Sequence, residues 1–428
     1  MNIRKLISKN KDIEKIINNS GWLLFDKLCR LGIGLIVSAW VARYLGPHEY
    51  GKLAFALAYL AFFQAVCILG LDNIIVRDIA REKLKSGEII GTTFLLRTLS
   101  GVFLWVVSVA MMSILHGISS QITIITALCA FSLIFQVSDT IDLWFQSQSN
   151  SKRTVVVKLS SYLISNSLKV CLILNNASIE YFAAVIAIEG GISFIGLIFS
   201  YRKFPANKLS ISREMAVKLL KESWPYIFSS LSVIVYMRID QLMIKSYLGE
   251  KELGIYAAVL PLAMIWTFIP TTLTTSLAPF IARKKREGED KYWYILKNIF
   301  RLYALLGWII CICVVIAAPF IVNLLFGNAY SNGVLVLQII IFTNLFINMG
   351  VAQSLWILNE GKSKLAMYKT FIGAIVCIVS NMILIPIYGI YGAAVSAVLA
   401  QFISTFISNV FISKKIFVLQ LKSLFLLK

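Results

Sequence analysis

The chain has 428 residues, of which 58% are hydrophobic and 14% charged, and its mean hydropathy is +0.80. A soluble domain carries about a quarter charged residues, so this composition excludes a water-soluble globular protein and points to one embedded in a bilayer. A formal charge of +20 would suit a nucleic-acid binder. The bases instead gather between apolar runs, which excludes nucleic acid as the partner.

In chain order, residues 3–17 set Ile3, Leu6, Ile7, Ile13, Ile16 and Ile17 at roughly helical spacing among lysines. That predicts a helix lying on the inner membrane surface, and 1–20 reads as a cytoplasmic interfacial segment. Twelve transmembrane helices follow, at about 21–45, 52–72, 92–114, 122–143, 155–175, 180–200, 224–248, 254–280, 298–318, 334–357, 366–388 and 389–412. The first is not a signal peptide, because Asp26, Lys27 and Arg30 interrupt it and no small-residue cleavage site follows. The first six spans form an N-terminal lobe over 21–200, and the last six a C-terminal lobe over 224–412. The basic, amphipathic stretch 201–223 is a cytoplasmic linker between them, and 413–428 is a cytoplasmic tail patterned like the N-terminal segment.

With the N-terminus inside, the cytoplasmic segments carry thirty-two of the 41 lysines and arginines. They include Arg77, Arg81, Lys83 and Lys85, and the run Arg283, Lys284, Lys285, Arg286. The outward loops hold essentially one base, Lys251. This asymmetry is the positive-inside rule, and it places both termini in the cytoplasm.

Several chemistries are absent. No outward loop exceeds about 16 residues, and no G-x-x-x-x-G-K-[ST] motif offers a phosphate-cradling loop. His48 and His116 lie at outer loop edges without a third ligand, so no metal is expected. All seven cysteines (Cys29, Cys67, Cys129, Cys171, Cys311, Cys313, Cys377) fall in apolar spans and read as packing residues. Asn176-Ala-Ser178 matches a glycosylation acceptor by chance. No cofactor, no catalytic residue and no enzymatic activity are expected.

The two halves repeat each other. Leu45-Gly46-Pro-His-Glu49-Tyr-Gly51-Lys-Leu-Ala54 aligns with Leu248-Gly249-Glu-Lys-Glu252-Leu-Gly254-Ile-Tyr-Ala257, with five of ten positions identical. Ile79-Ala80-Arg81 meets Ile281-Ala282-Arg283 at nearly the same offset, and Tyr181-x-Ala-Ala-Val-x-Ala187 meets Tyr391-x-Ala-Ala-Val-x-Ala397. Six spans per half give both halves the same orientation, the parallel-repeat class of transporters with a cleft between rocking bundles. The repeated glycines have a local cause, since tight outer turns need positive φ or close backbone approach.

These residues also carry a resemblance. The 45–54 stretch, Gly70-Leu-Asp-Asn followed by Val76-Arg-Asp-Ile-Ala80, and Arg238-Ile-Asp240-Gln241-Leu-Met-Ile-Lys-Ser-Tyr-Leu248-Gly249 resemble bacterial polysaccharide flippases. Phe326-Gly327-Asn-Ala-Tyr330 and Ile385-Pro386-Ile-Tyr-Gly389-Ile-Tyr-Gly392-Ala393-Ala394 extend the likeness over nearly the whole chain. The sequence is thus similar to the O-antigen (Wzx-type) branch of the multidrug/oligosaccharidyl-lipid/polysaccharide (MOP) exporters. The resemblance implies an all-α fold of two pseudo-symmetric six-helix bundles around a central cavity. It implies an inner-membrane carrier of an undecaprenyl-diphosphate-linked repeat unit, working among membrane lipids and other polysaccharide assembly proteins. The two-helix extension of the related lipid II flippases is not expected, because the chain ends soon after its twelfth span.

Charges at depth mark the candidate site, since one costs about 2.5–3.5 kcal/mol at a membrane helix centre. Lys27, Arg30, Arg97, Lys169 and Arg238 are such bases, and a cavity they line would suit a diphosphate and acidic sugars. Asp26 and Arg30, four apart, can pair locally. Arg238 and Asp240 point in different directions and need partners on other helices, while Arg97 and Lys169 have no acid in their own spans. Glu189, Asp139, Asp142 and Asp240 are the candidates for proton or sodium coupling, because a buried carboxylate can take up a proton in each cycle. The plain alternative for Glu189 is a static salt bridge to Lys169. Trp40, Trp105, Trp144, Trp224, Trp266 and Trp356 offer stacking faces for sugars or anchors at the interface.

Two other functions fit the composition. A multidrug exporter of the same superfamily calls for an acid-lined cleft. An O-antigen polymerase or membrane glycosyltransferase calls for a large outward loop bearing catalytic charges, which the short loops do not supply.

Overall fold

A computed structural model describes residues 11–204 and 207–425. Residues 1–10 of the expected interfacial segment and 426–428 of the expected tail lie outside the described residues. No strand occurs among the described residues.

Among the described residues, ten helical stretches are long and apolar enough to cross a membrane. Two of them, Gly21–Arg81 and Lys364–Ile412, have 61 and 49 residues, far beyond the roughly 20 that span a bilayer. Each is broken near its middle by a glycine, Gly46 at φ 72° and Gly389 at φ 60°, and the first turns again at Leu69-Gly70 (φ 57° and 62°) before its last ten residues. Split at Gly46 and Gly389, the ten stretches hold the twelve expected passes. Helix α1 (Lys11–Cys67) takes its break at Gly46-Pro47, where the proline's fixed φ starts the second arm.

The first unit takes the chain through Tyr44 and then Ala56–Leu231. It holds both ends of α1 with α2 (Asp72–Arg81), α3 (Ser86–His116), α4 (Gln121–Phe135), α5 (Asp139–Ser147), α6 (Ser151–Leu174) and α7 (Ile179–Arg202). Helix α8 (Arg213–Leu248) begins in this unit and ends in the other. The stretch expected to be a linker is tied to α3: Asn207 Nδ2 donates to Ser86 Oγ (2.8 Å), and the Ser212 amide donates to Thr92 Oγ1 (3.0 Å). The unit's apolar core joins Leu71, just before α2, and Ile75 and Ile79 of α2 to Ile141, Phe145, Leu197 and Leu219.

The second unit takes Leu45–Phe55 and Ser232–Lys428. It contains α9 (Glu250–Met264), α10 (Phe268–Glu287), α11 (Glu289–Phe326), α12 (Gly333–Ile340), α13 (Thr343–Asn359), α14 (Ser363–Phe402), α15 (Ser408–Ile412) and α16 (Lys414–Leu424). Helix α11 has two faces. Phe300, Tyr303, Ile310, Val314, Ala318 and Val322 are buried, while Leu305, Ile309, Ile312, Ile316, Phe320 and Leu324 are exposed at intervals of three and four. An exposed stripe of that size facing water would be an aggregation surface; facing acyl chains it is the ordinary outside of a membrane helix. The tail helix α16 packs on α11, with Ile416 and Leu424 buried and Trp308 Nε1 donating to the Leu424 carbonyl at 3.0 Å.

The repeated Leu-Gly-x-x-Glu-x-Gly motif uses its glycines in two ways. Gly46 and Gly249 supply positive φ at the helix breaks (72° and 89°). Gly51 and Gly254 supply closeness: a Cβ on Gly51 would lie 1.8 Å from the Glu250 carbonyl oxygen, and one on Gly254 would lie 1.8 Å from that of Pro47. The two copies of the motif therefore cross reciprocally, glycine against backbone.

Candidate functional site

Most of the deep charges gather in the first unit, in two polar cavities that share a wall. Asp139 and Asp142 stand three apart on the first turn of α5 and so share one face. Lys158, two turns into α6, answers both, its Nζ 2.8 Å from Asp139 Oδ1 and 2.6 Å from Asp142 Oδ2. These three residues line both cavities.

The first cavity, about 500 Å³, adds Asp26, Arg30 and Glu189, with Gln64 and Gln136 among its neutral polar walls. Arg30 Nε donates to Asp26 Oδ1 at 2.9 Å, the pair expected from their spacing. The Arg30 guanidinium also lies 3.9 Å from Glu189 Oε1 and over the Tyr162 ring at 4.8 Å, and the Tyr162 hydroxyl donates to the Arg30 carbonyl at 3.0 Å. Gly34 makes room for that tyrosine, since a Cβ there would meet the Tyr162 hydroxyl at 2.3 Å.

The second cavity, about 590 Å³, adds Asp72, Arg77 and Arg97. Arg97 is 1% exposed. Its Nη2 donates to Asp72 Oδ1 at 2.5 Å and to the Ile68 carbonyl at 3.2 Å, and its Nη1 reaches Thr140 Oγ1 at 3.5 Å. Its Nε, also buried, has no hydrogen-bond partner among the described residues. Asp72 is half exposed toward the cavity at 49%, so the ion pair has one dry end and one wet end.

The remaining candidates lie elsewhere. Lys27 is exposed on α1 and lines neither cavity. Lys169 is half-buried on α6, within electrostatic reach of Glu189 but without a direct ion pair; Glu189 meets Arg30 instead. Arg238 and Asp240 belong to the second unit. Asp240 is buried and accepts from the Tyr256 hydroxyl at 2.5 Å and from the Gln241 amide at 2.8 Å, while Arg238 is half-buried with no carboxylate at ion-pair distance among the described residues.

The sequence reading missed Lys158 and Asp72. Lys158 falls near the start of the span expected at 155–175, where a base can be taken for one at the membrane surface. The i, i+3 spacing of Asp139 and Asp142 was the available signal, because two carboxylates on one face at an inner helix end require a cation opposite. The cavities are accordingly not a bare cationic surface. Asp26, Asp139, Asp142 and Glu189 outnumber Arg30 and Lys158 in the first, and Asp72, Asp139 and Asp142 balance Arg77, Arg97 and Lys158 in the second.

Apolar helices of membrane length throughout the described residues define a multi-pass membrane protein, and comparison with solved structures specifies its fold. An inward-facing multidrug resistance MATE family transporter of the MOP superfamily superposes with a TM-score of 0.73 at 13% identity, covering 92% of this chain and 96% of that one. The lipid II flippase MurJ, in an inward closed conformation, superposes with a TM-score of 0.75 at 14% identity, covering 96% of this chain and 91% of that one. The chain belongs to the polysaccharide biosynthesis protein family: the family model matches residues 16–285, and the MatE model matches 225–383. The capsular polysaccharide biosynthesis protein CapF of Staphylococcus aureus is 22% identical, over 92% of this chain and 97% of that protein.

Proposed function

We propose that the protein flips an undecaprenyl-diphosphate-linked repeat unit of O antigen or another polysaccharide from the cytoplasmic to the periplasmic leaflet of a bacterial inner membrane, by alternating access. The observation that carries this reading is the set of bases Arg30, Lys158 and Arg97, each held by carboxylates at the wall of a polar cavity inside a membrane-spanning bundle. Membership of the polysaccharide biosynthesis family supports it. A diphosphate bears the oxygen acceptors that arginine and lysine bind best, and it competes with those carboxylates for the same donors. Protonating Asp139, Asp142 or Glu189 weakens its hold on the base and frees the base for the diphosphate. Proton and substrate uptake are thereby linked favourably through side chains already in contact.

The acid-rich first cavity favours a second reading, a multidrug exporter that takes up cations. A strain lacking its own flippase separates the two. Expression of this chain should restore surface polysaccharide and leave tolerance to cationic dyes unchanged. Dye tolerance without surface polysaccharide would establish the exporter.

Orientation follows the positive-inside rule, with both termini and the 201–223 and 281–297 segments cytoplasmic. A periplasm-active reporter fused after Ser210 should be silent and one fused after Ser331 active. The reverse pattern would overturn the direction of transport.

A further inference from the structure

The second unit holds a buried lysine inside the span expected at 366–388. Lys369, on α14, is only 6% exposed. Its ammonium donates to Gln353 Oε1, to the Thr405 carbonyl at 3.3 Å and to Asn409 Oδ1 at 3.4 Å. All three acceptors are neutral, and no carboxylate stands at ion-pair distance from Lys369 among the described residues. The neighbours are fixed by one another: Gln353 Nε2 donates to Asn409 Oδ1 at 2.7 Å, and Asn409 Nδ2 donates to Gln420 Oε1 of the tail helix at 2.8 Å. A buried cation without a counter-charge is costly, and neutral dipoles offset that only in part.

Lys369 also lines a cavity of about 460 Å³ whose walls are rich in hydroxyls. Thr271, Thr275, Ser354, Thr370 and Thr405 each donate their hydroxyl proton to a carbonyl of their own helical region, at 2.6–3.0 Å. What they have left to offer a guest is the oxygen lone pairs. The cavity thus presents several acceptors and one ammonium, which complements a guest with many hydroxyl donors and one negative group.

We propose that this cavity is a binding site for an acidic sugar, carboxylated or phosphorylated, with Lys369 neutralising its anion and the Thr/Ser oxygens accepting from its ring hydroxyls. The two long contacts of Lys369, to Thr405 and Asn409, are the ones a charged oxygen replaces, because a charge-assisted bond is shorter and stronger than either. The biological role of the site, as a holder of the glycan during transport, rests on the flippase reading; the chemistry of the cavity does not.

The test uses the full chain in lipid nanodiscs and three soluble probes: a glucuronate-terminated disaccharide, its glucose-terminated twin, and the twin phosphorylated on the terminal sugar. At least one acidic probe should bind about tenfold or more tightly than the neutral twin. Lys369→Gln should bring acidic and neutral affinities together, Lys369→Arg should keep most of the difference, and the tighter of the two acidic probes identifies the anion. Equal binding of all three probes to the wild type overturns the site without recourse to any variant, as does acidic preference that survives Lys369→Gln. Flipping of a lipid-linked glycan is measured separately on the same preparation. Lys369-dependent binding without flipping removes the flippase reading alone, and flipping without acidic preference removes the site alone.

Discussion

Gly51→Ala and Gly254→Ala should each leave little folded protein in the membrane. Either Cβ would sit 1.8 Å from a backbone carbonyl oxygen, of Glu250 in one case and Pro47 in the other. Neither oxygen belongs to a side chain that can swing away, so the two helices have to separate. Overpacking a tight site costs about 1–3 kcal/mol and more when backbone has to move, and these two changes belong at the upper end. Gly249→Ala is the control. Its Cβ meets nothing within 4 Å, so the cost is only that of holding an alanine at φ 89°, about 1–2 kcal/mol. Membrane abundance and thermal midpoint of the three variants, carried on a fluorescent fusion, should rank Gly249→Ala well above the other two. Wild-type abundance for Gly51→Ala would show that the two copies of the repeat do not cross as described.

Lys158 is the second large expectation. Lys158→Met leaves Asp139 and Asp142 facing each other on one helix face without their cation, and loss of one partner from a buried pair costs about 3–5 kcal/mol. Cavity water moderates that cost here, because the two carboxylate side chains are 41% and 20% exposed. Transport should fall at least about tenfold, and abundance should fall with it. Adding Asp139→Asn and Asp142→Asn should restore abundance, because the uncompensated charge is gone. Transport should stay lost if the triad takes part in exchanging carboxylate for diphosphate. Recovery of both would reduce the triad to a structural clamp. Glu189→Gln gives the parallel test for coupling: normal abundance with lost dependence on a proton gradient assigns Glu189 the ion, while full activity leaves it only its contact with Arg30.

Much of the fold was legible because apolar runs of membrane length have few alternative readings. The breaks at Gly46 and Gly389 fall between spans that hydropathy already separated. Helix ends were less legible. Helix α8 starts at Arg213 rather than near 224, and α11 runs over Glu289–Phe326 rather than 298–318, because a helix continues into water once its hydrogen-bond ladder is running, and hydropathy marks only the part in hydrocarbon. The same blind spot hid Lys158 and Lys369, which lie at the polar ends of their spans. The Arg30–Asp26 pair was readable from spacing. The Arg97–Asp72 and Arg30–Glu189 contacts were not, because they join different helices and depend on how those helices pack.

The most direct test of the central claim is flipping by the purified chain in proteoliposomes carrying a fluorescent undecaprenyl-diphosphate-linked oligosaccharide. A lectin or periodate outside the vesicles reports which glycans have crossed. The account predicts protein-dependent crossing that an imposed proton gradient accelerates and that Arg97→Ala or Lys158→Met suppresses. Crossing no faster than in protein-free vesicles, with or without a gradient, would contradict it.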